Sequence, residues 1–112
     1  MKYYVYDNQR KGTCYHEFYK GQWDGKTFWK SDSLFLHDDF LFHLNDLVDA
    51  IIEIASCYDP YGETEITIEQ WNKIGEIVKG KNKESQEAYR EVDLWLNGEV
   101  FPQYECFTIL GI

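Results

Sequence analysis

The side chains best suited to bind a metal ion lie within residues 37–43. His37, Asp38, Asp39 and His43 offer imidazole and carboxylate ligands, and Asp39 and His43, four residues apart, would share one face of a helix. The two histidines are six residues apart, however, and not the four that place two imidazoles on one metal ion. We therefore expect a helix cap and a boundary histidine here, and no metal.

A thiol and an imidazole form the second candidate for chemistry. Cys14 and His16 alternate along a predicted strand and would point to the same side, the minimum geometry for a nucleophile and its base. Nothing nearby orients the pair, and Cys more often packs as a small hydrophobe. Cys57 and Cys106 lie in apolar contexts and are expected in the core, with all three thiols reduced.

Three sequence patterns that mark common enzyme sites are missing. The chain has no glycine-rich phosphate loop, no nucleophile elbow and no dinucleotide fingerprint. With twenty carboxylates, some will be neighbours by chance, so a neighbouring pair is no sign of acid and base catalysis. We expect a protein that is not an enzyme, with no catalytic residues and no cofactor.

The charge balance indicates what kind of partner to expect. Twenty acidic residues against eleven basic ones give a net charge of -9. Nucleic acids and anionic membranes are bound through a surplus of Lys and Arg, so neither is expected as a direct partner, and a basic protein is. The sequence has no run of about 20 uncharged apolar residues, and residues 1–7 lack the apolar centre of a signal peptide. We expect a cytoplasmic protein.

Aromatic and β-branched runs predict the strands that would position these residues. Three short strands are expected near the N-terminus, with turns at residues 8–12 and 21–25 between them: Tyr3–Asp7, Thr13–Lys20 and Thr27–Leu36. An antiparallel meander is the simplest way to connect them. The nearly continuous apolar run Tyr104–Leu110 predicts a final strand that is covered on both faces.

Three helices are expected between these strands. Apolar residues recur at three- and four-residue steps from Asp39 to Tyr58, which predicts one amphipathic helix, capped by Asp38 or Asp39 and ended by the turn at residues 59–62. The capping box Thr67–Gln70 begins a second helix, for which Gly80 is the expected stop. A third helix is expected over about residues 85–97.

These elements predict a single α+β domain over residues 1–112. Its antiparallel sheet would consist of the N-terminal strands plus the C-terminal strand, packed with about three helices.

The first predicted helix offers a candidate surface for a protein partner. Spacing of 100° per residue places Asp39, Asp46, Asp49 and Glu53 in one arc, with Phe42 among them. An aromatic ring surrounded by carboxylates is typical of an anchor that docks a basic partner. The alternative is that Phe42 is buried by a neighbouring element and that the acids are a solvated face.

A second candidate surface is the turn that follows this helix. Tyr61, with Asp59, Glu63 and Glu65 around it, is expected in an exposed loop. The third helix carries further acids along one face, namely Glu84, Glu87 and Glu91. An acidic exterior without catalytic residues is typical of a protein inhibitor of a basic enzyme.

In these features the chain resembles the immunity proteins of bacterial polymorphic toxin and contact-dependent growth inhibition systems. The resemblance rests on small size, acidity and three segments, Asp38–Glu53, Glu65–Trp71 and Phe107–Ile112. It implies a stoichiometric cytoplasmic antitoxin that binds the C-terminal toxin domain delivered by a neighbouring cell, often a nuclease, and blocks its active site.

Two other functions stay open at this point. The first is a non-catalytic regulatory subunit of another assembly, which composition does not separate from an immunity protein. The second is a small ligand-binding domain or enzyme in which Tyr and Trp side chains line a pocket. A sizeable pocket that joins His16, His37 or His43 to carboxylates would favour this second alternative.

Overall fold

The computed structural model of the chain describes residues 1–41, 43–97 and 105–111. Its strands are β1 (Tyr4–Val5), β2 (Tyr15–Lys20), β3 (Leu34–His37), β4 (Glu63–Thr67) and β5 (Cys106–Leu110). Its helices are α1 (Asp38–Leu41), α2 (Asn45–Ile54), α3 (Ile68–Val78) and α4 (Lys83–Leu96). The predicted α+β class, an antiparallel sheet packed with three longer helices, is confirmed.

The strands lie side by side in the order β1-β3-β2-β5-β4, and every pairing is antiparallel. Because β3 lies between β1 and β2, the predicted meander is wrong. The register places Glu17 of β2 opposite Leu110 of β5, and Leu110 opposite Glu63 of β4. Directly opposite residues point to the same side of a sheet, so these three side chains form one row on one face.

The other face of the sheet packs against α2, α3 and α4. Phe18 and Phe107 stack there with ring centroids 5.9 Å apart. Trp71 of α3 and Trp95 of α4 meet Phe107 edge-on, at centroid distances of 5.2 Å and 6.3 Å. Burying each such side chain stabilises the fold by about 1.5–3 kcal/mol, so this aromatic cluster fixes two helices on the sheet.

The predicted strand Thr27–Leu36 is wrong over most of its length. Only its end belongs to β3, and residues 21–33 instead form a loop that covers the face opposite the helices. Thr108 donates to the carbonyl of Gly21, and Trp29 stacks on Phe35 with ring centroids 5.6 Å apart. An aromatic residue of this segment therefore packs on the sheet without belonging to a strand. Strand propensity does not predict such a tertiary contact.

The single helix predicted over residues 39–58 is also wrong, because it is two helices. α1 ends at Leu41 and α2 begins at Asn45, with Leu44 in a non-helical conformation (φ -107°, ψ 42°) and fully buried. α2 ends at Ile54, four residues before Tyr58, and Ala55 is again non-helical. The apolar period predicts a continuous helix, but the tertiary packing that buries Leu44 in the core interrupts the helix at this residue.

Residues 63–67 form a strand where the sequence predicts only an exposed loop. β4 alternates regularly, with Thr64 and Ile66 buried and Glu63, Glu65 and Thr67 exposed. The capping box that follows is confirmed: Thr67 Oγ1 accepts from the amide of Gln70, and the Gln70 side chain accepts from the amide of Thr67. α3 ends at Val78, two residues before the predicted stop at Gly80.

Candidate partner-binding site

The loop over residues 21–33 has a well-defined structure of its own. Asp24 accepts the amides of Lys26 and Thr27 at 2.9 Å and 2.8 Å, and it also accepts the Thr27 hydroxyl. The Thr27 hydroxyl and these two amides lower the pKa of Asp24 to about 2, because each bond favours the ionised carboxylate. Trp23 Nε1 donates to the Thr27 carbonyl at 2.8 Å, which fixes the indole at the edge of the loop.

A buried carboxylate holds the far end of this loop. Glu17 is 2% exposed and accepts the amides of Trp29 and Lys30 at 2.8 Å and 3.1 Å. Trp29 has a φ of 59°, a left-handed conformation that is strained for a bulky residue. Phe35 stacks on the Trp29 indole, and the Arg10 guanidinium lies 3.8 Å from the indole centroid and 5.6 Å from the Phe35 centroid, so both contacts hold the Trp29 side chain. The surrounding contacts therefore impose the strained backbone.

An open groove runs between this loop and the turn that precedes β4. Its volume is about 520 Å³, and we call it the aromatic groove after the rings of the half-buried Trp23 and the exposed Phe28 and Tyr61 that line it, together with Glu63, Leu110 and Gly111. Phe28 is 52% exposed and Tyr61 is 80% exposed. Large aromatic side chains left in solvent at the edge of a groove are typical of a binding surface.

The aromatic groove continues into a smaller cavity of about 150 Å³, here called the inner pocket. The two share Phe28, Leu110 and Gly111, and the inner pocket adds Tyr15, Glu17 and Trp29 to its lining. The Gly111 amide donates to the Gly62 carbonyl, and a Cβ on Gly111 would clash with the Pro60 carbonyl oxygen. Glycine at this position therefore lets the turn close against the end of β5.

Three exposed acids of the turn and of β4, Asp59, Glu63 and Glu65, are called the acidic rim, and Glu63 lines the aromatic groove itself. Asp59 accepts the Tyr61 amide at 2.9 Å, and the Asp59 amide donates to Thr64 Oγ1, so the turn is ordered. In the described part of the chain, no Lys or Arg nitrogen lies within 4.0 Å of a carboxylate oxygen of the rim. The rim therefore keeps its negative charge free for a partner.

The structure brings together three of the eight residues predicted for the partner surface. Tyr61 and Glu63 line the aromatic groove, and Asp59 accepts the Tyr61 amide beside it. Three others, Asp46, Asp49 and Glu53, share one face of α2, where Asp46 accepts the Asn82 amide at 3.1 Å and so helps to begin α4. The predicted arc is wrong for Asp39, which lies on α1 beyond the break. Phe42, the predicted anchor, lies outside the described residues.

Two of the three acids of the third predicted helix, Glu87 and Glu91, already bind other groups of the same chain. Glu91 accepts the amides of Lys2, Tyr3 and Tyr4 at 3.0–3.3 Å, and Glu87 lies 3.5 Å from the Lys2 ammonium. These two carboxylates bind the N-terminal segment to α4. They are therefore poor candidates for contacts with a partner.

The histidine and cysteine candidates are not brought together as a reactive site. His16 is 1% exposed and its Nε2 lies 2.9 Å from Asp38 Oδ1, so an acid does orient this imidazole, contrary to the prediction. Cys14 precedes β2 and is exposed. Cys57 is exposed too, so its predicted place in the core is wrong, and Cys106 is half-buried. Among the described residues, no three His, Cys, Asp or Glu side chains are grouped so that they could hold a metal ion.

Sequence reasoning missed Glu17, Trp23, Phe28 and Trp29 as part of this site. A signal was present, because residues 21–25 read as a turn with a Trp at its centre, and a large aromatic ring in a turn needs a surface to cover it. The strand β4, which adjoins this site, was not predicted, because it has only five residues and two of them are charged.

Across residues 1–41, 43–97 and 105–111, no helix has the length and apolar content needed to cross a membrane. Comparison of the chain with protein-family models, with curated proteins and with solved structures found no match.

Proposed function

We propose that this protein is a small acidic immunity protein that binds and neutralises a cognate toxin domain in the cytoplasm. The observation that carries the proposal is the acidic rim beside the aromatic groove, where free negative charge and exposed aromatic rings share one surface. Four other acids of the described chain are paired with Lys or Arg. The three rim acids have no such ion pair in the described chain, so their negative charge is available to a basic protein.

The chemistry of the surface suits a nuclease-type toxin domain. An enzyme that cleaves nucleic acid gathers Lys and Arg around its active site to bind phosphates, so an acidic surface of matching shape competes for the same place. The rim would speed association by long-range attraction, while Trp23, Phe28 and Tyr61 supply the area that slows dissociation. Inhibition then follows from covering the active site of the toxin.

The same surface would serve a non-catalytic subunit of another assembly, so the decisive test is protection. Cells that express the protein should survive induction of the toxin domain encoded beside its gene, and control cells should die. Survival no better than that of the controls would contradict the immunity function.

Paired charge reversals locate the surface that protects. Glu63→Lys with Glu65→Lys reverses the rim, and Asp49→Lys with Glu53→Lys makes the same change of charge on α2, where both acids are exposed. The rim variant should associate with the toxin about tenfold or more slowly and lose its dependence on salt, because steering depends on these charges. The α2 variant should behave as the parent does. The opposite result would move the interface to α2.

A further inference from the structure

The inner pocket contains a buried negative charge without a counter-charge. Glu17 is 2% exposed and lines the pocket, and it accepts two amides from the loop. The described part of the chain holds all eleven Lys and Arg residues, and none of them places a side-chain nitrogen within 4.0 Å of this carboxylate. Burying an ionised carboxylate is costly unless it is paired, so the fold keeps a group that a cation would stabilise further.

The free hydrogen-bonding capacity of Glu17 matches a planar cation. A carboxylate has about four lone-pair sites, and the amides of Trp29 and Lys30 occupy two of them. Two sites remain for the parallel N–H groups of a guanidinium. An ammonium would use the same charge but not the same geometry.

The walls of the inner pocket favour the same ligand group. Tyr15 and Phe28 present aromatic rings, on which a guanidinium stacks more readily than an ammonium because it is more weakly hydrated. A volume of about 150 Å³ is too small for a whole metabolite, since such sites usually span roughly 300–1,000 Å³. It fits one side chain that enters from the aromatic groove past Glu63.

We propose that the inner pocket is an arginine pocket, which receives the side chain of one Arg of the basic partner. This inference rests on the proposed function for the source of the arginine, and it adds a specific contact to it. The guanidinium pairs with Glu17 beside the rings of Tyr15 and Phe28, and the aliphatic part of the side chain lies along Leu110. The acidic rim attracts the partner, and the inner pocket selects it.

The test uses a small probe that needs no partner protein. Nα-acetyl-L-arginine amide is titrated into the isotope-labelled protein while the indole N–H signals of the four Trp residues are followed by NMR. The indole of Trp29 should shift saturably. The matched control is Nα-acetyl-L-citrulline amide, which has the same shape without the charge and should bind about tenfold or more weakly, the loss of one charge-assisted contact.

Two variants connect the shift to the inner pocket. Phe28→Ala removes an exposed wall and should abolish saturation without unfolding the protein, whereas Phe40→Ala, an exposed ring on α1, should leave it unchanged. Glu17→Gln should bind the arginine probe no better than the citrulline probe. Should that variant fail to fold, Phe28→Ala and the two probes still decide the question.

The outcomes separate this inference from the proposed function. Equal shifts by both probes, or saturation that survives Phe28→Ala, would overturn the arginine pocket, even if the protein neutralises its toxin. Specific binding of the arginine probe by a protein that fails to protect cells would instead keep the pocket and remove the immunity function.

Discussion

Single carboxylates hold together parts of this molecule that are far apart in sequence. Glu17 accepts the amides at the end of the covering loop, and Glu91 accepts three amides of the N-terminal segment from its place on α4. Each ties down a segment by accepting its backbone amides. Residue type alone gives no sign of this role, since both acids look like ordinary surface charge in the sequence.

Cys106 reports on the negative charge at the edge of the sheet. Burial raises its pKa to about 11, with further contributions from the carboxylates of Glu65 and Glu105. At pH 8 iodoacetamide should therefore label Cys106 about tenfold or more slowly than the exposed Cys14 and Cys57, because little Cys106 thiolate is present. Mass spectrometry of peptides at timed intervals measures the three rates.

Glu65→Gln is the matched variant for this prediction. It removes one of the negative charges that raise the Cys106 pKa, so labelling of Cys106 should become faster while the rates at Cys14 and Cys57 stay the same. Three equal rates in the native parent protein would show that Cys106 does not have the raised pKa.

At the scale of elements, local sequence patterns correctly predicted the helices whose ends are set by interactions between residues close in sequence. The second and third helices were predicted within a few residues, because capping and apolar period act over neighbouring turns. The break at Leu44 depends instead on burial in the core, and the loop over residues 21–33 depends on contacts with the sheet, neither of which a sequence window contains. The site was predicted in part for the same reason: Tyr61 lies in a turn, but its neighbours Trp23 and Phe28 come from a distant segment.

The capping box of α3 gives a prediction about stability. Thr67→Ala removes the acceptor of the Gln70 amide at the first turn and should lower the free energy of unfolding by about 0.5–2 kcal/mol. Urea titration followed by circular dichroism measures the change. Ser56→Ala, an exposed position outside any helix or strand, is the control and should change stability by less than about 0.5 kcal/mol. An unaltered midpoint for Thr67→Ala would mean that the cap does not stabilise the helix.

At the scale of the whole molecule, buried and half-buried phenols limit the pH range over which the fold keeps its full stability. Burial is the main reason that the pKa values of Tyr58 and Tyr89 are raised to about 12, and burial also raises the pKa of Tyr4. Below pH 10 these groups are protonated in both the folded and the unfolded chain, so their contribution to the free energy of unfolding is fully present. Between about pH 10 and 12 the unfolded chain loses their protons first, and stability falls.

Tyr58→Phe removes one of these phenolic protons and so measures its contribution to stability. In the parent, Tyr58 should contribute a fall of up to about 1.4 kcal/mol per pH unit above pH 10, and the variant should lack that contribution. Urea titrations at pH 8, 10 and 11 provide the comparison, and the difference between the two proteins should grow only at the two higher values. A constant difference at all three values would contradict the raised pKa.

The position of β5 has a consequence for the synthesis of this protein. β5 is the last strand of the described chain, yet it lies inside the sheet, between β2 and β4. A nascent chain that has emerged from the ribosome as far as α4 therefore holds two unjoined parts of the sheet and an open core. Only the arrival of residues 106–110 closes them, because pairing so distant in sequence has to wait for its last strand. Leu110, which lines the inner pocket, arrives in the same step, so a ribosome that stalls before this strand leaves a chain with neither a closed core nor a complete binding surface.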